Sequence, residues 1–210
     1  MKNFTLAALL VMAVLSFLPL AGFSLAGTAV ALGIIFFFIF KVLEKQAFAN
    51  SGLDIRAAGA SLKNKSTWFW MALPILANTL AFLVGKYLVP EYTAHVFQRS
   101  QAFLSYEKLA ILVPQLAVLA LGEEIAWRAF FQKRIGNLVP FVPALLITSA
   151  LFAIGHLAEG SLPVVVVDVI FIFVNSILYG VIFQKTNNAW VSGLAHFAAN
   201  LFSVIVLLFN

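Results

Sequence analysis

The chain has no cysteine among its 210 residues, and only 10% of them are charged. Without a thiol there is no disulfide framework, no thiolate nucleophile and no sulfur ligand for a metal. The scarcity of charge excludes more. Soluble domains carry about 25% charged and about 45–50% apolar residues. Here the apolar share is 63% and the mean hydropathy is +1.03. The chain therefore reads as an all-α, polytopic membrane helix bundle. Its net charge of +5 does not point to nucleic acid, because most of the basic residues fall between apolar runs, where they set topology. Histidine is scarce as well, with three in the chain, so the position of each is informative.

What the chain has is apolar runs. Its length allows about seven spans of ~20 residues with short connections, forming a single transmembrane domain over residues 1–210. The runs are Phe4–Phe23, Leu25–Leu43, Trp68–Val89 (with Pro74 as a kink), Leu109 to about Arg134, Phe141–Leu157, Leu162–Gln184 and Ala189–Phe209. The first has Lys2 before it and Ser24-Leu25-Ala26 after it, as a cleaved signal peptide does. It reads instead as a span, because its apolar stretch is long and a second span follows at once. Lys41–Thr67 and Pro90–Lys108 are polar connections. Nine basic residues (Lys2, Lys41, Lys45, Arg56, Lys63, Lys65, Lys133, Arg134 and Lys185) fall on one side of this topology, and Lys86, Arg99 and Lys108 on the other. The positive-inside rule puts the N-terminus in the cytoplasm and predicts a multi-pass protein of the plasma membrane.

The fourth span carries Glu123, Glu124 and Arg128. An ionised side chain at the centre of a span has an insertion penalty of roughly 2.5–3.5 kcal/mol, and charges kept there mark pathways or reactions. Glu124 and Arg128 are four apart and can pair on one helix face. Glu123 points about 100° away and is left free to act as a base. In the fifth span Ser149, Phe152 and His156 share a face, and in the seventh His196 and Asn200 do. Convergence of Glu123, His156 and His196 makes a site that activates water, since a carboxylate takes a proton and imidazoles bind metal or donate to an oxyanion. One oxygen and two nitrogen donors suit a weakly held Zn²⁺, and the same groups can work without metal. Asp168, Asn175 and Tyr179 form a stripe on the sixth span that either lines this cavity or holds the bundle. Counted at ~1.5 Å per residue from the cytoplasmic ends of their spans, Glu123 and Asn200 stand near 16 Å and His156 near 22 Å, so a single site requires a tilted fifth helix or one that starts later.

Glu123-Glu124-x-x-x-Arg128, Phe152-x-x-x-His156 and His196-x-x-x-Asn200, in that order on three helices, resemble the CPBP intramembrane proteases (the CAAX prenyl endopeptidase or ABI family), with a core at residues 109–201. Trp127 stands where the family has an aromatic such as Phe, and Ala129 where it often has Gly. The resemblance implies an intramembrane endopeptidase of bacterial type acting on a membrane-associated protein or peptide. Glu123 and His156 then activate water, His196 and Asn200 bind metal or stabilise the oxyanion, and Glu124 with Arg128 holds the site together. A membrane carrier or proton relay, and a non-catalytic immunity or interaction protein, are the other functions such a chain can serve.

Overall fold

The computed structural model describes residues 2–17, 25–101, 104 and 108–209, and among these all regular structure is helical. Helix α1 is Lys2–Leu15 and α2 is Leu25–Leu43. Residues 18–24, which hold the end of the first apolar run and Ser24 of the small-residue stretch, lie outside the described residues. Two short helices follow, α3 (Phe48–Ser51) and α4 (Ile55–Ser61), then α5 (Lys65–Leu88) and α6 (Tyr92–Gln101). Helix α7 (Leu109–Glu124) runs without a break into a π-helical segment (Ile125–Gln132) and α8 (Lys133–Ile135). The last three are α9 (Phe141–Ile154), α10 (Leu162–Thr186) and α11 (Ala189–Phe209).

Four helices, Lys65–Leu88, Ala110–Ile135, Leu162–Thr186 and Ala189–Phe209, are long and apolar enough to cross a membrane. Three shorter apolar ones, Asn3–Leu15, Gly27–Leu43 and Phe141–Ile154, stand where the remaining spans are expected. A helical membrane bundle is therefore the fold. The count of seven rests on these shorter helices, since 14 residues rise only about 21 Å against a hydrocarbon core of ~30 Å.

Local chemistry sets the helix ends. The Asn64 side chain accepts from Ser66 N at 2.9 Å and starts α5, three residues before the Trp68 expected from hydropathy. Pro163 sits in the first turn of α10, and Asn187 ends that helix in the left-handed conformation with φ 45°. Pro74 lies within α5, as the sequence indicates.

Both polar connections are more ordered than their composition suggests. The stretch holding α3 and α4 is docked on the start of α11. Ala189 N donates to Gly52 O at 2.7 Å, Asn188 Nδ2 to Asp54 O at 2.6 Å and Trp190 Nε1 to Leu53 O at 3.0 Å. Gly52 turns the chain there with φ 93°, a conformation in which a side chain is strained, and the Phe183 ring lies against it. The second connection contains α6, so His95 lies on a helix rather than in a loop, and it is buried.

The main core gathers Ala8 and Met12 of α1, Phe37 and Phe40 of α2, Trp127, Phe130 and Phe131 of the π segment, and Phe152 of α9. Every residue from Ala126 to Gln132 is buried. The π segment thus sits at the centre of the bundle, one residue past the acidic pair, and such segments are frequent at functional sites.

Candidate active site

Glu123 and Glu124 are the last two residues of α7 before the helix widens. Their side chains part at once. Glu124 is fully buried, with Oε2 3.3 Å from Arg128 Nε, itself fully buried. Neither atom meets hydrogen-bond geometry, so the contact is an ion pair rather than a directed bond. The guanidinium is fixed elsewhere: Arg128 Nη2 donates to Ser176 Oγ of α10 at 2.9 Å, and the group lies over the Phe152 ring at 5.3 Å. The pair expected from the four-residue spacing is therefore present, with an anchor in α10 that the spacing does not reveal.

Glu123 lies between two imidazoles. Its Oε1 is 3.8 Å from His156 Nε2, and its Oε2 is 3.6 Å from His196 Nε2. Both separations exceed hydrogen-bond length. The far nitrogens are held directly. His156 Nδ1 is 2.8 Å from Phe152 O, and His196 Nδ1 is 3.2 Å from Glu124 Oε1. A carbonyl and an ionised carboxylate only accept, so each Nδ1 carries a proton and each Nε2 is turned to Glu123. Ring packing fixes both imidazoles further. Tyr179 stacks on His196 with centroids 4.2 Å apart, and Phe152 lies 4.5 Å from His156.

The structure thus brings Glu123, His156 and His196 together despite their unequal expected heights. Helix α9 starts at Phe141, so a later start does not account for the difference; it ends at Ile154, and Gly155 and His156 form a turn in which His156 N bonds to Ala153 O. Glu123, His156, His196 and Asn200 line one cavity of about 150 Å³. Of the α10 stripe, Asp168, Asn175 and Tyr179 all reach that cavity. Ser149 is fully buried and is not among its lining residues.

Two further groups on the cavity wall were not picked out from the sequence. Asn78 of α5 donates to Ala199 O at 3.0 Å and to Ser203 Oγ at 2.8 Å, and accepts from Asn175 Nδ2 at 2.6 Å. A lone amide in the middle of an apolar span is the signal that could have found it. At another part of the wall Asp168 meets Arg99 and His95 of α6: Arg99 Nε to Oδ2 is 3.0 Å, Nη2 to Oδ1 3.3 Å and His95 Nε2 to Oδ2 3.3 Å.

For a metal ion the donor types are suitable, one carboxylate and two imidazoles. The two Nε2 atoms approach different oxygens of Glu123, and among the described residues no group of three His, Cys, Asp or Glu side chains stands out as an ion site. Chemically, the arrangement is that of a carboxylate base with an imidazole at each oxygen and an open, partly polar space in front.

Residues 105–202, a little under half of the chain, match the family described as type II CAAX prenyl endopeptidase Rce1-like. That region belongs to the CAAX protease family. It contains the acidic pair, Arg128, both cavity histidines and Asn200. In that region the chain is similar to CAAX-type endopeptidases, and its four long apolar helices fit a membrane protein. No curated protein and no solved structure matches the chain.

Proposed function

We propose that the protein hydrolyses a peptide bond in a membrane-associated protein or peptide, with Glu123 as the base that activates water. The observation that carries this reading is the Glu123 carboxylate, flanked by His156 Nε2 and His196 Nε2 and facing a cavity. A water held by Glu123 gives up a proton to it and adds to the scissile carbonyl carbon. The carbonyl oxygen becomes an oxyanion, to which the Asn200 amide donates from the same wall. His156 relays the proton to the departing amine as the C–N bond breaks. His196, locked by Glu124 and Tyr179, positions Glu123. Arg128, anchored on Ser176, offsets the charge of Glu124, so that of the two carboxylates Glu123 is the one left for chemistry.

No step is routed through a metal: the carboxylate base, the two imidazoles and the Asn200 amide supply each proton transfer and the oxyanion donor. Peptides in membranes of cells producing the wild type or Glu123→Gln test the function. Products present only with the wild type support it. A carrier or an interaction protein predicts indistinguishable peptide pools, and that outcome rejects the peptidase.

The orientation proposed is N-terminus inside, at the plasma membrane. Its support is the nine-to-three split of basic residues. A single cysteine at Lys63, in this cysteine-free chain, then reacts with an impermeant maleimide only after the membrane is opened. Reaction in intact cells inverts the topology.

A further inference from the structure

Arg99 stands out among the cavity groups that the hydrolytic scheme leaves unused. It lies on α6, outside residues 105–202, and lines the same cavity as Glu123. A guanidinium presents five donors in a rigid fork with more than one edge fit for a carboxylate. Asp168 faces one edge: Nη2 donates to its Oδ1 at 3.3 Å, while Nε stands 3.0 Å from Oδ2 as an ion pair without hydrogen-bond geometry, and the Asp168 side chain is almost fully buried. The Arg99 side chain keeps 19% of its surface. Asp168 also faces His95, so a single carboxylate serves two basic side chains. The pair therefore holds the guanidinium by its Nε and Nη2 side, with Nη1 outside the contact. Helix pinning alone accounts for the Asp168 contact, but not for a charged group retained in the wall of a cavity whose other lining includes Phe82, Val96, Leu104 and Phe171.

Resting on the peptidase reading, we propose that Arg99 binds a carboxylate carried by the peptide substrate. Distance along α10 sets where that carboxylate sits. Asp168 holds Arg99, and Tyr179 stacks on His196 beside Glu123. Eleven residues of helix separate them, a rise of about 16 Å. An extended chain covers ~3.3–3.6 Å per residue, so the carboxylate lies about five residues from the scissile bond. It belongs either to the C-terminus of the substrate or to an Asp or Glu side chain at that distance.

The test uses full-length protein in phosphatidylcholine nanodiscs and four fluorescein-labelled apolar decapeptides. One has a free C-terminus and one is its amide; the other two are amidated and carry an internal Asp or the matching Asn. Binding is measured on Glu123→Gln, which keeps Arg99 and its surroundings intact. One carboxylate peptide is expected to bind about 10- to 100-fold more tightly than its neutral counterpart, the range for hydrogen bonds to a charged group. Which of the two does so identifies the source of the carboxylate. Adding Arg99→Gln is expected to abolish the preference. Equal binding of all four peptides, binding of none, or a preference that survives Arg99→Gln overturns the proposal. The peptide comparison within the Arg99 protein needs no further variant, so misfolding of Arg99→Gln does not remove the test. If the four peptides bind equally but an Arg99-dependent rise in thermal stability accompanies phosphatidylglycerol, the site is a lipid-headgroup site and the proposal falls. Cleavage by the active protein is scored separately: cleavage without carboxylate selectivity leaves the peptidase standing and removes the subsite, and selective binding without cleavage does the reverse.

Discussion

His196 Nδ1 lies 3.2 Å from Glu124 Oε1, while the other nitrogen of the same ring faces Glu123 at 3.6 Å. One imidazole thus links the two adjacent glutamates and gives them different work. Glu124 orients the ring and balances Arg128; Glu123 meets the cavity.

Because Glu124 and Arg128 are both fully buried, removing either partner alone leaves an uncompensated charge. Arg128→Ala is expected to destabilise the protein by about 3–5 kcal/mol, read as a lower unfolding midpoint in detergent. The double replacement Glu124→Gln with Arg128→Met is expected to recover most of that stability without restoring peptidase activity, since His196 loses its ionised partner. A double variant as unstable as Arg128→Ala would show that the pair itself is not the source of the effect.

Activity is expected to survive removal of divalent metals. The measurement is peptidase rate in protein shown by elemental analysis to be free of zinc and other divalent ions, beside the same protein reloaded with zinc. A return of activity only on reloading would establish the weakly held Zn²⁺ that the donor types allow. In the same assay Glu123→Gln is expected to lose about 10²–10⁴-fold in rate, the usual worth of a general base, with an unchanged unfolding midpoint.

Helix α2 leaves no room at Gly33. A Cβ there would stand 2.6 Å from Ala126 Cβ and 2.8 Å from Met12 Cε. Gly33→Ala is therefore expected to cost about 1–3 kcal/mol through overpacking against the π segment. Gly59 in α4 is the control, since a Cβ there meets nothing within 4 Å, and Gly59→Ala is expected to be neutral or to stabilise by up to about 1 kcal/mol. Equal effects at the two positions would contradict the close α2 packing.

Just past the end of α2, Glu44 accepts two hydrogen bonds of 2.5 and 2.6 Å from Arg134, at the end of the fourth span. These bonds hold the Glu44 carboxyl below the usual carboxylate range, against a smaller opposing push from partial burial. A depressed folded-state value means that this stabilisation is fully present above the ordinary Glu value near ~4.3 and is lost as pH falls through the folded value. Glu44→Gln is expected to lower stability at neutral pH by about 0.2–1 kcal/mol, the range for exposed pairs. Wild type and variant should converge only once pH has fallen below the depressed folded-state value, well under the ordinary Glu range. A gap that persists there would assign the effect to packing of Arg134 over Phe40 rather than to charge.

Much of the bundle was legible because lipid leaves few ways to place a charge. Composition gave the helical membrane class, and spacing gave the Glu124–Arg128 contact even though Arg128 lies in a π-helical turn. Less was legible wherever a partner is remote in sequence. His95 and Arg99 are four apart, as partners of one group can be, yet Asp168 is about seventy residues away. The polar stretch after Pro90 hid α6 because its buried face is short. The meeting of His156 with Glu123 was not legible from heights, because a rise counted along one helix carries no information on how that helix leans against its neighbours.

The cavity wall crosses the boundary of the family match. Asn78 and Arg99 come from α5 and α6, ahead of residue 105. A fragment beginning at 105 would keep all the acid, base and amide groups assigned to hydrolysis, but would lose the enclosure in which they sit. Transplanted into another membrane protein, that fragment would take its choice of substrate from its new neighbours. On the proposed reading, the groups that do the chemistry and the groups that shape the space in front of them belong to two stretches of sequence that can diverge independently.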